Sequence, residues 1–130
     1  VAAPKLSANQ AQRIEELQGY VRTIDHVKKL VAELESNRAA NPKILKGISE
    51  NIARDLSHMR QRALTANLGS LPDTAGTLSI IAARQGTGIN LKIRALLDGV
   101  NSMAIQLDQA LKMAHEAKPA KEKEEEKKKS

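Results

Sequence analysis

Apolar residues recur along this chain at steps of three and four, the spacing that gathers side chains along one side of an α-helix. The most clearly punctuated run covers residues 41–69, where Leu45, Ile48, Ile52, Leu56, Met59, Ala63 and Ala66 form the stripe. Asn41 can accept from free backbone N–H groups at a helix start, Pro42 suits the first helical position, and Gly69 suits a left-handed residue after the last turn. Lys46, Glu50, Arg54, His58 and Arg62 follow one another at steps of four on the other side. The spacing therefore predicts one long helix with an apolar stripe that must be covered.

Three more segments carry the same period. Ser7 followed three residues later by Gln10 matches a capping box, and Ile14, Leu17, Val21, Ile24, Val27, Val31 and Leu34 extend a first helix to about Ser36. Gly19 lies inside it and admits a close helix crossing. Residues 37–41 are a short link, which favours antiparallel neighbours. Ser70, Pro72 and Asp73 signal a brief third helix with Leu71, Ala75, Leu78, Ile81 and Ala82 inward, ending near Gln85. Gly86, Thr87 and Gly88 then break the chain. A last helix, from about Ile89 to Ala117, has the broadest apolar face: Ile93, Leu96, Leu97, Val100, Met103, Ala104, Leu107, Ala110, Leu111 and Ala114. No segment alternates as a half-buried strand would. The fold class is all-α, an antiparallel four-helix bundle with one short helix over residues 7–117. A flexible lead-in (1–6) precedes it and a disordered, charged tail (118–130) follows it.

Composition sharpens this picture in three ways. With no Phe, no Trp and one Tyr, the core must be aliphatic, a mixture that helix-on-helix layers use readily. The absence of Cys removes disulfides, thiolate metal sites and thiol nucleophiles. No run approaches the roughly 18 apolar residues that span a bilayer, so a soluble protein is expected. The first residue is Val1, and the leading VAAP suits either a removed Met or a cut signal peptide. A cytoplasmic location is the first expectation, and a processed secreted or periplasmic form is the alternative.

The formal net charge is +6. Residues 118–130 hold six Lys against four Glu, which leaves +2 in the tail and +4 in the rest. Nucleic acid or an anionic surface is thus a partner class to weigh, with the tail making salt-sensitive phosphate contacts. Against sequence-specific recognition, no aromatic platform exists for stacking bases, and the basic residues are mixed with Glu and Asp along every helix.

His58, between Arg54 and Arg62 on the polar stripe, is the nearest thing to a chemical handle. Its placement two positions from Leu56 and one from Met59 turns it toward solvent, where the arginines could hold a phosphoryl charge. Ser57-His58 followed by Leu64-Thr65-Ala66 resembles the histidine box of sensor-kinase dimerisation domains. Ala66-Asn67-Leu68-Gly69 is similar to the segment that follows the histidine in histidine phosphotransfer domains, which are four-helix bundles. The resemblance implies a phospho-accepting His58 and covers about one helix. It departs from those families at Met59, where an acidic residue is expected, at Ala63, where proline is, and at Gln61, where lysine is. An ordinary surface histidine is the plain alternative.

Other chemistry is scarce. His26, His58 and His115 are far apart in sequence, no His pair stands at i, i+4, and neither a metal nor a cofactor is expected. Gly86-Thr87-Gly88 lacks the strand and further glycines of a phosphate-binding loop. Glu15-Glu16 read as solubilising charge, and no catalytic motif for hydrolysis is present. The first functional expectation is therefore a non-catalytic interaction or assembly module that binds a protein partner or itself. Tyr20, Leu30, Leu64 and Ile105, near the edges of their helical faces, are its candidate surface.

Overall fold

The computed structural model describes residues 8–66, 68–84 and 88–116, and among them the chain forms four helices and no strand. These are α1 (Ala8–Ser36), α2 (Pro42–Ala63), α3 (Leu71–Ala83) and α4 (Ile89–Glu116). The lead-in, the tail, Ser7 and the Gly86-Thr87 step lie outside the described residues. α1 packs on α2 and α4, and α3 packs on the same two, while α1 and α3, like α2 and α4, lie diagonally across the bundle. Cross-helix contacts fix the directions. Tyr20 meets Arg62 while His26 meets Asp55, so α1 and α2 run antiparallel; Gln10 meets Ala114 while Arg38 meets Asn90, so α4 returns against α1. The result is an antiparallel, up-down-up-down four-helix bundle.

The buried seam has a period of seven. In α1 it runs through Leu17, Tyr20, Ile24, Val27, Val31 and Leu34, in α2 through Ile52, Leu56, Met59, Ala63 and on to Ala66, and in α4 through Ile93, Leu96, Val100, Met103 and Leu107. α3 contributes Leu71, Ala75, Leu78 and Ala82. Alternating steps of three and four keep one line of side chains facing the bundle axis, the pattern of helices packed at shallow angles. This corrects two of the expected surface residues. Tyr20 is 2% exposed and Leu30 8%, because the seam passes through Tyr20 and puts Val21 beside it, while Leu30 flanks the Val27–Val31–Leu34 line.

α2 ends at Ala63, six residues before Gly69. Its last turn holds Arg60 and Arg62, cations that suit the negative end of a helix dipole. The carbonyls left over at a helix end need partners, and here α1 helps to supply them. The Tyr20 hydroxyl donates to the Arg62 carbonyl (3.1 Å), and Arg13 donates to the Ala66 carbonyl just beyond the helix. Within the turn, Leu64 N–H bonds the Arg60 carbonyl and Ala66 N–H bonds that of Ala63. Gly69 does take the left-handed conformation (φ 61°), in the connection rather than at the helix end. At the other end, Asn41 caps as its position predicts, accepting from Lys43 N–H at 2.8 Å.

The Ser7–Gln10 capping box lies partly outside the described residues, while the start expected for α3 comes out differently. Gln10 is buried and its amide donates to the Ala114 carbonyl (2.6 Å), so it satisfies the end of α4. Ser70 precedes α3 without a side-chain capping bond. The close crossing also lies elsewhere than Gly19, where an added Cβ would meet only the Arg22 and Arg62 guanidinium ends at 3.7 and 3.8 Å. It lies at Gly99 of α4, against which Leu78 of α3 is seated: an added Cβ would stand 2.8 Å from Leu78 Cγ. Ser79 ties α3 to α2 by donating to the Ala53 carbonyl at 2.9 Å.

Candidate functional site

His58 is exposed on α2, as its spacing from Leu56 and Met59 requires. It borders an open groove of about 440 Å3 between α1 and α2. Arg62 and Asp55 join it from α2, one helical turn to either side, and Arg22, Thr23 and His26 come from α1. Arg54 is exposed but does not line this groove. The cations beside His58 are therefore Arg62 and, from the other helix, Arg22.

Arg62 is held in place by its neighbours. Its guanidinium carbon stands 5.6 Å from the centre of the Tyr20 ring, within cation–π range, and it lies against the bare backbone of Gly19. Tyr20 thus connects the core to the groove: its ring is buried, its hydroxyl is shared between the Glu16 carboxylate and the Arg62 carbonyl, each at 3.1 Å, and Arg62 covers its face. Burial pushes the Tyr20 hydroxyl pKa above its ordinary 10.0, and the Glu16 hydrogen bond and charge add to the rise against the opposing pull of Arg62 and Arg13.

His26 is a member that sequence reasoning did not bring to this site. Its Nδ1 lies 2.7 Å from Asp55 Oδ2. An ionised carboxylate only accepts, so Nδ1 carries the proton in this bond and the ring is oriented by α2. Asp25, the adjacent carboxylate in sequence, is not its partner. The signal was a register between helices: antiparallel packing that joins Tyr20 to Arg62 also joins His26 to Asp55 about two turns along. Among the described residues, no three His, Asp or Glu side chains gather closely enough to hold a metal ion.

Neither a family model, nor a curated protein, nor a solved structure matches the chain. The chemistry of its surface therefore has to be read from the surface itself.

Large apolar side chains remain exposed outside the His58 groove. Leu64 (51%) sits on the turn after α2, and Ile105 (60%) on α4. Because α2 and α4 are diagonal in the bundle, these two belong to separate surfaces. Ile105 borders an apolar groove of about 300 Å3 between α1 and α4, with Val21, Ala104 and Leu111 along it and Asp25 and Asp108 at its rim. No helix of the described residues is long and apolar enough to cross a membrane. The Lys-rich segment considered for nucleic-acid contacts lies outside the described residues.

Proposed function

We propose that the bundle is a non-catalytic docking module whose α1/α4 groove receives an amphipathic helix of a protein partner. The observation that carries this reading is Ile105, 60% exposed beside partly buried Val21, Ala104 and Leu111. A helix laid along such a groove buries an apolar anchor every three or four residues. Asp25 and Asp108 at the rim favour Lys or Arg on the flanks of that helix and disfavour acidic ones. A second copy of this chain is the other candidate occupant.

The test combines sedimentation with affinity capture from the native source, comparing wild type with Ile105→Asp, Asp25→Lys/Asp108→Lys and, as a control on another surface, Leu64→Asp. A partner, or a dimer, is expected that is lost with Ile105→Asp, weakened by the double charge reversal and retained by Leu64→Asp. A wild-type chain that is monomeric and captures nothing sensitive to Ile105→Asp would refute the reading.

The α1/α2 groove supports a second reading, in which His58 accepts a phosphoryl group from the acyl phosphate of a receiver domain. The ring nitrogen would form the new N–P bond as the aspartate carboxylate leaves, with Arg62 and Arg22 balancing the phosphoryl charge. The observation favouring it is an exposed imidazole with a guanidinium from each helix along the same groove. Acid-labile label that appears with phosphorylated receivers in wild type and is absent from His58→Gln is the expected result. Label that persists in the variant would end it.

A further inference from the structure

Three polar residues are buried among the described residues: Gln10, Ser49 and Lys92. Gln10 is bonded to the end of α4. The other two line a single cavity of about 410 Å3, at the end of the bundle where α2 begins, α3 ends and α4 begins. Ser49 stands in α2 seven residues before Leu56 and fourteen before Ala63, so it occupies the same seam line with a side chain too short to fill it. Leu45, Ala82 and Ile89 give the cavity apolar walls, and its volume falls within the ~300–1,000 Å3 of small-molecule sites.

Lys92 lines this largely apolar space. It is 9% exposed, and its ammonium has no ion pair or hydrogen bond among the described residues. The stem is buried while the ammonium keeps contact with solvent, for among the described residues no buried side-chain nitrogen or oxygen lacks a hydrogen-bond partner. Here the neighbouring charges increase the demand for an anion. Lys43 and Lys46 line the same cavity, and its one carboxylate, Glu50, is engaged with Lys46 at 3.9 Å. Lys92 also lies in the first turns of α4, where the helix dipole is positive and favours an anion over a cation. Desolvation accordingly lowers the Lys92 pKa from its ordinary 10.5.

We propose that this cavity binds a small amphipathic carboxylate, with its aliphatic chain against Leu45, Ala82 and Ile89 and its carboxylate on the Lys92 ammonium. An apolar chain alone would cover the Lys92 ammonium without supplying a counter-charge, and an inorganic anion alone would leave the apolar walls wet. A single molecule that carries both satisfies the site. This site is separate from the α1/α4 groove, so its failure would leave the docking reading untouched.

The experiment titrates the full chain with decanoate, followed by amide NMR shifts and calorimetry, with decanol as a neutral probe of equal chain length. Saturable decanoate binding is expected, with shifts centred on Ser49, Lys92 and Ile89. Decanol is expected to bind at least tenfold more weakly. Lys92→Met, which keeps the aliphatic stem, should lower decanoate affinity at least tenfold, and Ser49→Leu, which fills the seam, should abolish it while circular dichroism reports an intact bundle. The decanol comparison needs no variant, so it stands even if a substitution disturbs folding. Equal affinity for decanol and decanoate, shifts centred on another face, or no saturable binding would overturn the proposal.

Discussion

Replacing Gly99 by alanine tests the α3/α4 packing directly, because two known effects oppose each other at this position. Glycine inside a helix costs about 1 kcal/mol relative to alanine, so relief of that cost would stabilise α4. The new Cβ, however, would stand 2.5 Å from Leu78 Cδ2 and 2.8 Å from Cγ, well inside carbon–carbon contact distance. Leu78 is 4% exposed and has little room to yield. Overpacking a filled core costs roughly 1–3 kcal/mol, so Gly99→Ala should be net destabilising by about 1 kcal/mol. Gly47 is the control: nothing lies within 4 Å of its added Cβ, and Gly47→Ala should stabilise by ~0.5–1 kcal/mol. Leu78→Ala alone should cost ~2–5 kcal/mol through its cavity, and in that background Gly99→Ala should become stabilising. The sign reversal corresponds to a coupling of about 2 kcal/mol in a double-mutant cycle. Denaturant unfolding followed by circular dichroism measures all four chains of the cycle. If Gly99→Ala stabilises the parent protein as much as Gly47→Ala does, the seating of Leu78 on α4 is wrong.

Tyr20→Phe should cost about 1 kcal/mol in the same assay, since it removes a donor from the Arg62 carbonyl and keeps the ring. The folded-state pKa of Tyr20 is raised, so its contribution is complete below pH 10.0 and is lost as pH rises from there through the folded value; Tyr20→Phe should lack this alkaline decline. As the sole tyrosine, Tyr20 can be followed by tyrosinate absorbance without interference. Lys92 has the opposite sign. Its pKa is lowered in the fold, so stability falls as pH drops below 10.5 until the folded pKa is reached, and Lys92→Met should raise stability near neutral pH and remove that slope. A Lys92→Met chain less stable than wild type at neutral pH would show that the ammonium is not short of a partner.

The architecture was legible because each helix carries its seam in its own sequence. Ile14 to Leu34, Leu45 to Ala66 and Ile93 to Leu107 announce period and length, and the four helices follow with ends displaced by a few residues. The end of α2 was less legible, since Ala63 and Ala66 continue the apolar period into the turn. What stops the helix there includes Arg13 and Tyr20, which bring α1 donors to its terminal carbonyls. In the sequence Tyr20 has the place of an edge residue because Leu17–Val21–Ile24 and Leu17–Tyr20–Ile24 are both helical spacings; only the seven-residue repeat selects the second. At the candidate site, His58 and Arg62 were visible on one helix, whereas His26, Asp55 and Arg22 depend on how two helices register. Lys92 was hidden for a simpler reason: within a run of charged and apolar residues, nothing local marks which lysine faces inward.

The four packing contacts form a ring, and a single unbranched chain cannot make all of them between consecutive elements. α1 with α2, α2 with α3, and α3 with α4 are hairpin neighbours; the α1/α4 contact alone joins the two extremes of the domain. Its closure carries the loop entropy of nearly the whole bundle, a cost that grows as about (3/2)RT ln n with the residues enclosed. Gln10 at one end and Arg38 at the other pin this seam through side chains, at the Ala114 carbonyl and at Asn90. In kinetic terms α1/α4 is the rate-sensitive contact of an otherwise local topology, and relinking the chain would move that role to a different pair of helices without removing it.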